Sequence, residues 1–118
     1  MHLRPWNRHS DYGVLVKWWD QYDFGKVPKE CLPPLGLVVE DALGTSICAG
    51  GLYVCDGTKF GFMEWVVGDP KASPKLLHKC LKILIDGLIK LAKEEGCLLL
   101  YTVTENPGLH KRYVKYHG

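Results

Sequence analysis

The pattern of apolar and polar residues predicts an alternation of strands and helices along the chain. Short runs of β-forming residues in HLRPW, LGLVVED, TSICAGGLYVC and TKFGFMEWVV predict four strands. Helical spacing predicts a first helix in SDYGVLVKWWDQYDF, capped by Ser10, and a long amphipathic helix over 74–95. The apolar run CLLLYTV predicts a strand covered on both faces, and NPGLHKRYVKYH predicts a last helix with Asn106 as its cap.

Turn and cap residues give the boundaries of these elements. Asp56-Gly57 between two β-like runs predicts a tight hairpin whose turn needs positive φ. Ser73 followed by Pro74 predicts the start of the long helix, and Gly96 predicts its end. The proline-rich stretch GKVPKECLPP predicts a surface loop.

The order of elements predicts an α/β (α+β) fold with a mixed, largely antiparallel sheet and helices on both faces. The strand–helix–strand from 59 to 103 predicts a right-handed crossover, which makes strands 59–67 and 97–103 a parallel pair. Regular alternation in the first of these strands puts Phe60, Phe62, Glu64 and Val66 on one face and Gly61, Met63, Trp65 and Val67 on the other.

Length and composition predict a single domain over 1–118 and exclude few classes of function. The net charge of +2 is too small to predict nucleic-acid binding. No apolar run reaches membrane-spanning length and no signal segment is present, so a cytoplasmic protein without a membrane partner is expected. Five cysteines without a C-x-x-C pair, and histidines without ligand spacing, predict reduced thiols and no metal site.

The tryptophan pair in the first helix raises a packing problem. Trp18 and Trp19 are adjacent, so we expect one of them to be exposed or at an interface. Together with Trp6 and Tyr22 they form a group of aromatic residues near the N-terminus. This group either packs in the core around the first helix or lines a binding site as an aromatic wall.

The element order, with FMEWVVGDP, a helix ending LAKEEG and then LLLYTVTENPGLHKRYVKYHG, resembles the GNAT superfamily of N-acetyltransferases over nearly the whole chain. The resemblance implies that an acyl-CoA lies where the fourth and fifth strands splay apart. It also implies a Q/R-x-x-G-x-G/A loop for the pyrophosphate at the start of the long helix. A carboxylate on the fourth strand then acts as base, and a tyrosine on the closing helix acts as acid.

Residue by residue, the resemblance assigns Glu64 as base and Tyr113 as acid. Counting back from the terminal His-Gly puts Val114 in the tyrosine's place, and Tyr116 is a third candidate. Glu64 has the alternatives of pairing with a nearby cation or facing solvent. The implied cofactor-binding residues are Val66, Val67, Gly68, Lys75, His78, Lys79 and Asn106.

The glycine loop of the family is missing, because GDPKASPKLLHKC contains no G-x-G and its two prolines each remove a donor. Side chains of Lys75, His78 and Lys79, with Lys71 just before them, could neutralise a phosphate instead. The alternative is that these lysines are merely solvated on an exposed helix face, which is the more common case.

Two functional hypotheses follow. In the first, the protein uses acetyl-CoA to acetylate an amine substrate of unknown identity. In the second, it is an inactive GNAT-fold protein that binds a macromolecular partner or assembles as a homodimer. The family usually continues with further strands beyond the position of Gly118, so we expect a partner or a second copy to cover the sheet edge. Small glycine-poor relatives resemble accessory proteins of phages and mobile elements. The basic HKRYVKYH segment makes nucleic acid only a third candidate.

Overall fold

The computed structural model describes residues 1–23 and 25–102 of the chain. These form β1 (His2–Pro5), α1 (Tyr12–Gln21), β2 (Leu35–Glu40), β3 (Ser46–Val54), β4 (Phe60–Gly68), α2 (Pro74–Glu94) and β5 (Leu99–Tyr101). A short 3-10 turn, Lys29–Cys31, lies between α1 and β2. The predicted closing helix, with Asn106, Tyr113, Val114 and Tyr116, lies outside the described residues.

The described strands form one sheet in the order β1-β2-β3-β4-β5. The first three pairings are antiparallel, and β4 and β5 pair in parallel, with Phe60 opposite Leu99 and Phe62 opposite Tyr101. The mixed sheet and the parallel pair joined by α2 therefore confirm the predicted fold class. Within the described residues, no helix is both long enough and apolar enough to cross a membrane.

The two helices cover opposite faces of the sheet, each over its own core. One core consists of the α2 stripe, which includes Leu84 and Leu88, against residues of β2, β3 and β4. The other core joins α1 to Trp6 and to Val38 of β2. Because neighbouring strand residues point to opposite faces, the two cores together bury both sides of the central strands.

The expectation that Trp18 or Trp19 is exposed is wrong. Their exposed fractions are 4% and 3%, and both belong to the α1 core. Leu32 from the loop after the 3-10 turn lies in the same core, so α1 is covered by this loop as well as by the sheet. The sheet and the loop together bury a wider arc of α1 than the sheet alone would, so the adjacent side chains of Trp18 and Trp19 are both buried.

Trp6 packs flat on a strip of the sheet that has no side chains. A Cβ on Gly36 or on Gly51, which are paired neighbours on β2 and β3, would collide with the indole ring. The indole Nε1 donates to the Pro33 carbonyl over 3.2 Å. The two glycines are thus required by the close approach of a large ring to the backbone.

The cap of α2 is confirmed and that of α1 is corrected. Ser73 Oγ accepts from the Leu76 amide over 3.2 Å, and Gly96 has the expected positive φ of 86°. Helix α1 has Asp11, not Ser10, as its N-cap residue.

The Asp11 carboxylate bonds away from its own helix. It accepts from the Asn7 amide over 2.7 Å and from both terminal nitrogens of Arg4, over 3.0 and 2.8 Å. Arg4 Nε also pairs with Glu40 over 3.0 Å, which ties β1 to β2 and to the start of α1. The hydrogen bonds from Arg4 hold the pKa of Asp11 below its usual value, despite the opposing effect of burial.

Replacing Asp11 with Asn should lower the free energy of unfolding at neutral pH by about 1–3 kcal/mol, because the bidentate pair is lost. A lowered carboxyl pKa stabilises the fold above the unfolded value of the pKa, and this contribution disappears as the pH falls through the folded value. Urea denaturation of wild type and Asp11→Asn, measured from neutral to strongly acidic pH, should therefore show a difference in the free energy of unfolding that becomes smaller in acid. Asp20→Asn, on the exposed side of the same helix, is the control, and a difference independent of pH would contradict the assignment.

Candidate functional site

Strand β4 contains a bulge in its second half. Glu64 pairs with Gly51 of β3 and Val67 pairs with Ala49, so β4 has one residue more than β3 between these pairs. The backbone of Trp65 has a φ of 62°, in the left-handed region that bulky residues rarely adopt. The two residues on the bulged side are Trp65 and Val66.

The bulge reverses which face each following residue points to, and the predicted alternation is wrong beyond Glu64. Val66 packs in the α2 core, whereas Trp65 and Val67 pack in the α1 core. Glu64 is opposite Gly51, whose missing side chain would point at Trp6, so Glu64 is on the α1 face. Glu64 and Val66 therefore do not share a face.

Three contacts hold Trp65 in its strained conformation. Its indole Nε1 donates to the Tyr53 hydroxyl over 2.8 Å, and that hydroxyl donates to the Cys31 carbonyl over 2.6 Å. Its ring meets Trp19 edge-on, with centroids 6.3 Å apart. A left-handed conformation of this kind costs about 1–3 kcal/mol and persists only where its surroundings fix it. Sequence reasoning missed this anchor, since its partners lie on three other elements.

Glu64 is half-buried next to the bulge. Burial raises the pKa of its carboxyl, since the charged form loses contact with water. Within the described residues its carboxylate takes part in no ion pair, so the alternative of a neighbouring cation finds no support there. A carboxyl in this setting has the properties of a general base that titrates closer to neutrality than an exposed one.

The pairing of β4 with β5 is short and ends just before Glu64. It extends from Phe60 to Phe62, where the rings of Phe60, Phe62 and Tyr101 contact one another at centroid distances of 4.9 to 6.4 Å. Beyond this aromatic group, nothing in residues 1–23 and 25–102 pairs with the outer edge of β4. Among the described residues, the backbone from Met63 to Gly68 has no strand partner on this side, and an extended ligand could add there as a strand.

The loop between β4 and α2 uses its amides internally. Asp69 Oδ1 accepts from the Lys71 amide over 2.9 Å, and the Asp69 carbonyl accepts from Ala72 over 3.0 Å. At the helix start, Ser73 accepts from the amides of Leu76 and Leu77 through its hydroxyl and its carbonyl. Few donors of this helix N-terminus are left for an anion, and Asp69 adds a negative charge beside them.

Gly68 is required at the end of β4, because a Cβ there would collide with the Leu77 side chain. Lys75, His78 and Lys79 are exposed on the first two turns of α2, where their i, i+3, i+4 spacing puts them on one side. These three side chains therefore lie on one side of the start of α2, and their role stays a prediction.

Tyr22 from the end of α1 also lies in this region. Burial, and then the negative charge of Asp69, raise the pKa of its phenol. The effect of Asp69 means that the two side chains lie near each other. The Asp-Pro pair after a strand is a local turn signal that points to the Asp69 loop, whereas no sequence signal points to Tyr22. In the described part of the chain, no three His, Cys, Asp or Glu side chains come together to hold a metal ion.

No protein-family model matches the sequence, and no curated protein matches it. Solved structures do match. The protein Rv2747 from Mycobacterium tuberculosis, in complex with CoA and NLQ, has a TM-score of 0.77 at 19% identity, over 97% of this chain and 70% of its own. The ribosomal-protein-alanine N-acetyltransferase from Brucella melitensis has a TM-score of 0.74 at 12% identity, over 100% and 83%. The chain has the GNAT fold.

A more distant GNAT structure, the glucosamine-6-phosphate N-acetyltransferase from Arabidopsis thaliana, has a TM-score of 0.61 at 17% identity, over 94% of this chain and 88% of its own. At such identities the likeness concerns the fold. It confirms the GNAT-like architecture that the sequence predicted, and the residue roles stay predictions.

Replacing Glu64 with Gln tests the burial of its carboxyl without an activity assay. Because the pKa of this carboxyl is raised in the folded state, its contribution to the stability of the fold is fully present below the unfolded pKa. That contribution is lost as the pH rises through the folded pKa. The Gln variant should therefore melt at a higher temperature than wild type at neutral pH, and the two should converge in acid. Glu94→Gln, at an exposed position of α2, should show no such pH dependence. A lower melting temperature for Glu64→Gln at neutral pH would contradict this description of the site.

Proposed function

We propose that the chain is an acyl-CoA-dependent N-acetyltransferase that transfers an acetyl group to an amine. The observation that carries the proposal is the outer edge of β4 next to the start of α2, which no described residue pairs beyond Phe62, in a GNAT fold. The solved neighbours support it, since one of them is in complex with CoA and others are described as N-acetyltransferases.

The residues of β4 fit the pantetheine arm of such a cofactor. The arm carries amides, and the backbone of β4 around Val66 and Val67, which no described residue pairs on its outer side, could exchange hydrogen bonds with them. Both valine side chains are engaged in the cores, so this fit concerns their backbone groups.

The β4–α2 loop fits the pyrophosphate only through side chains. Its amides are largely bonded to Asp69 and Ser73, and no glycine follows Gly68 before the helix. Lys75 and Lys79, with His78 between them on the same side, are the groups that would balance the charge of a diphosphate.

The bound cofactor would supply the activated acetyl thioester. Glu64 would accept the proton of the attacking amine, directly or through a water, because its half-buried carboxyl has a raised pKa and no cation paired with it in the described residues. Tyr113 is proposed as the acid that protonates the leaving thiolate, and Asn106 as a further cofactor contact, on the resemblance alone.

Calorimetric titration with acetyl-CoA tests the proposal directly. We expect wild type to bind with a Kd of order micromolar, and Lys79→Glu to weaken binding by about tenfold or more, because a repulsive charge replaces an attractive one. Lys90→Glu makes the same charge change at an exposed position further along α2 and should bind like wild type. Absence of wild-type binding at millimolar acetyl-CoA would overturn the enzyme hypothesis.

A second candidate function is an inactive GNAT-fold protein that binds a macromolecule or a second copy of itself. The observation in its favour is the same loop, where Asp69 and Ser73 satisfy the amides that a pyrophosphate would need. A carboxylate at this helix start also opposes the binding of an anion.

An Asp69→Asn variant separates the two candidates. Asn retains an oxygen that can accept from the Lys71 amide, so the turn is preserved while its negative charge is removed. If the loop binds a diphosphate, acetyl-CoA affinity in calorimetry should rise about threefold or more. Asp56→Asn, in the hairpin turn where Asn-Gly is equally favourable, is the matched control. Equal affinities for wild type and Asp69→Asn would place the diphosphate elsewhere, and no binding by either would favour the second candidate.

A further inference from the structure

Two open depressions adjoin each other beside α1. One, of about 360 Å³, is lined by Tyr12, Lys26, Pro28, Lys29 and Glu30. The other, of about 290 Å³, is lined by Gly13, Val16, Lys17, Trp19, Asp20 and Lys26. Lys26 borders both, and the two together are called the Lys26 surface below. The proposed transfer reaction uses none of these residues.

The Lys26 surface contains two cations close to a single aromatic ring. Lys26 Nζ lies 5.9 Å and Lys29 Nζ lies 5.5 Å from the centre of the Tyr12 ring. The Tyr12 hydroxyl donates to the Val27 carbonyl over 2.7 Å, which fixes the ring between α1 and the loop. An ammonium group is attracted to an aromatic face at such distances.

Neither of these lysines has an anionic partner in the part of the chain that the structure describes. Two ammonium groups near one ring concentrate positive charge there, which an anionic group of a ligand would balance. The arrangement therefore favours a ligand with a carboxylate or a similar negative group.

The Lys26 surface is on the same side of the sheet as Glu64. The Tyr12 ring contacts Trp19 edge-on at 6.4 Å, and Trp19 contacts Trp65 at 6.3 Å. Trp65 directly follows Glu64, which faces the α1 side. Two ring contacts thus join the surface to Trp65, the residue next to the candidate base.

We propose that the Lys26 surface binds an acidic peptide, with carboxylates of the peptide at Lys26 and Lys29. The depressions are open to solvent and share Lys26, which suits an extended chain better than an enclosed metabolite. Asp20 and Glu30 line the same surface, and the amide donors of a peptide can pair with these carboxylates, whereas a DNA backbone has no donors to offer them. Binding of the peptide is independent of acetyl transfer, but its assignment as the acceptor rests on the proposed function.

The test is fluorescence anisotropy of a fluorescein-labelled peptide of alternating glutamate and alanine, without any cofactor. Its counterpart with glutamine in place of glutamate and a labelled oligothymidine of similar length are measured beside it. The protein variants are the double substitution of Lys26 and Lys29 by Glu and, as a matched control, the same double change at Lys90 and Lys93 on the exposed side of α2. Circular dichroism checks that both variants fold.

We expect the glutamate peptide to bind wild type and the control variant alike, and the Lys26/Lys29 variant at least about tenfold more weakly. The glutamine peptide should bind more weakly than the glutamate peptide to wild type. The proposal would be overturned if both variants lost affinity for the glutamate peptide equally, or if wild type bound the two peptides equally well. Tighter binding of the oligothymidine than of the glutamate peptide would also overturn it. Because no acetyl-CoA is present, these outcomes are separate from the calorimetric test of the enzyme hypothesis.

Discussion

The left-handed backbone at Trp65 is the constraint on which the arrangement of the site depends. A regular β4 would send Val66 to the α1 core and leave Trp65 against α2, where the stripe of leucines already fills the space. With the bulge, Glu64 and Trp65 lie on the same face, and the indole joins the α1 core beside Trp19. The strain of one residue is thus offset by the burial of a large ring and its hydrogen bond to Tyr53.

That anchor also connects two regions which are distant in sequence. The Tyr53 hydroxyl donates to the Cys31 carbonyl, at the end of the 3-10 turn that begins at Lys29. The loop that lines the Lys26 surface is therefore hydrogen-bonded, through Tyr53 and Trp65, to the strand that carries Glu64. The loop that lines the Lys26 surface and strand β4 are parts of one packed unit, and displacement of the loop would disturb the bulge.

Local signals predicted most of the fold, and tertiary contacts decided the rest. The cap at Ser73, the turn at Gly57 and the stop at Gly96 depend on a few adjacent residues, and the structure has all three. The faces of Val66 and Val67 depend instead on the contacts of Trp65 with Tyr53 and Trp19, which no period in the sequence reports. The prediction that Trp18 or Trp19 is exposed was wrong for the same reason, because the loop that contains Leu32 supplies the second covering.

The charges near the start of α2 decide between the two functional candidates more directly than the fold does. Asp69 and Lys71 lie in the turn before the helix, while Lys75 and Lys79 lie on its exposed side, so an arriving diphosphate would meet one repulsive and three attractive groups. The lysine side chains are flexible and solvated, and their attraction is weakened by salt and by the entropy lost on fixing them. The Asp69 carboxylate, by contrast, is held by the Lys71 amide and loses little freedom. A loop of this kind would bind a cofactor less tightly than a glycine-rich one, so a bound cofactor would depend more on contacts with the edge of β4.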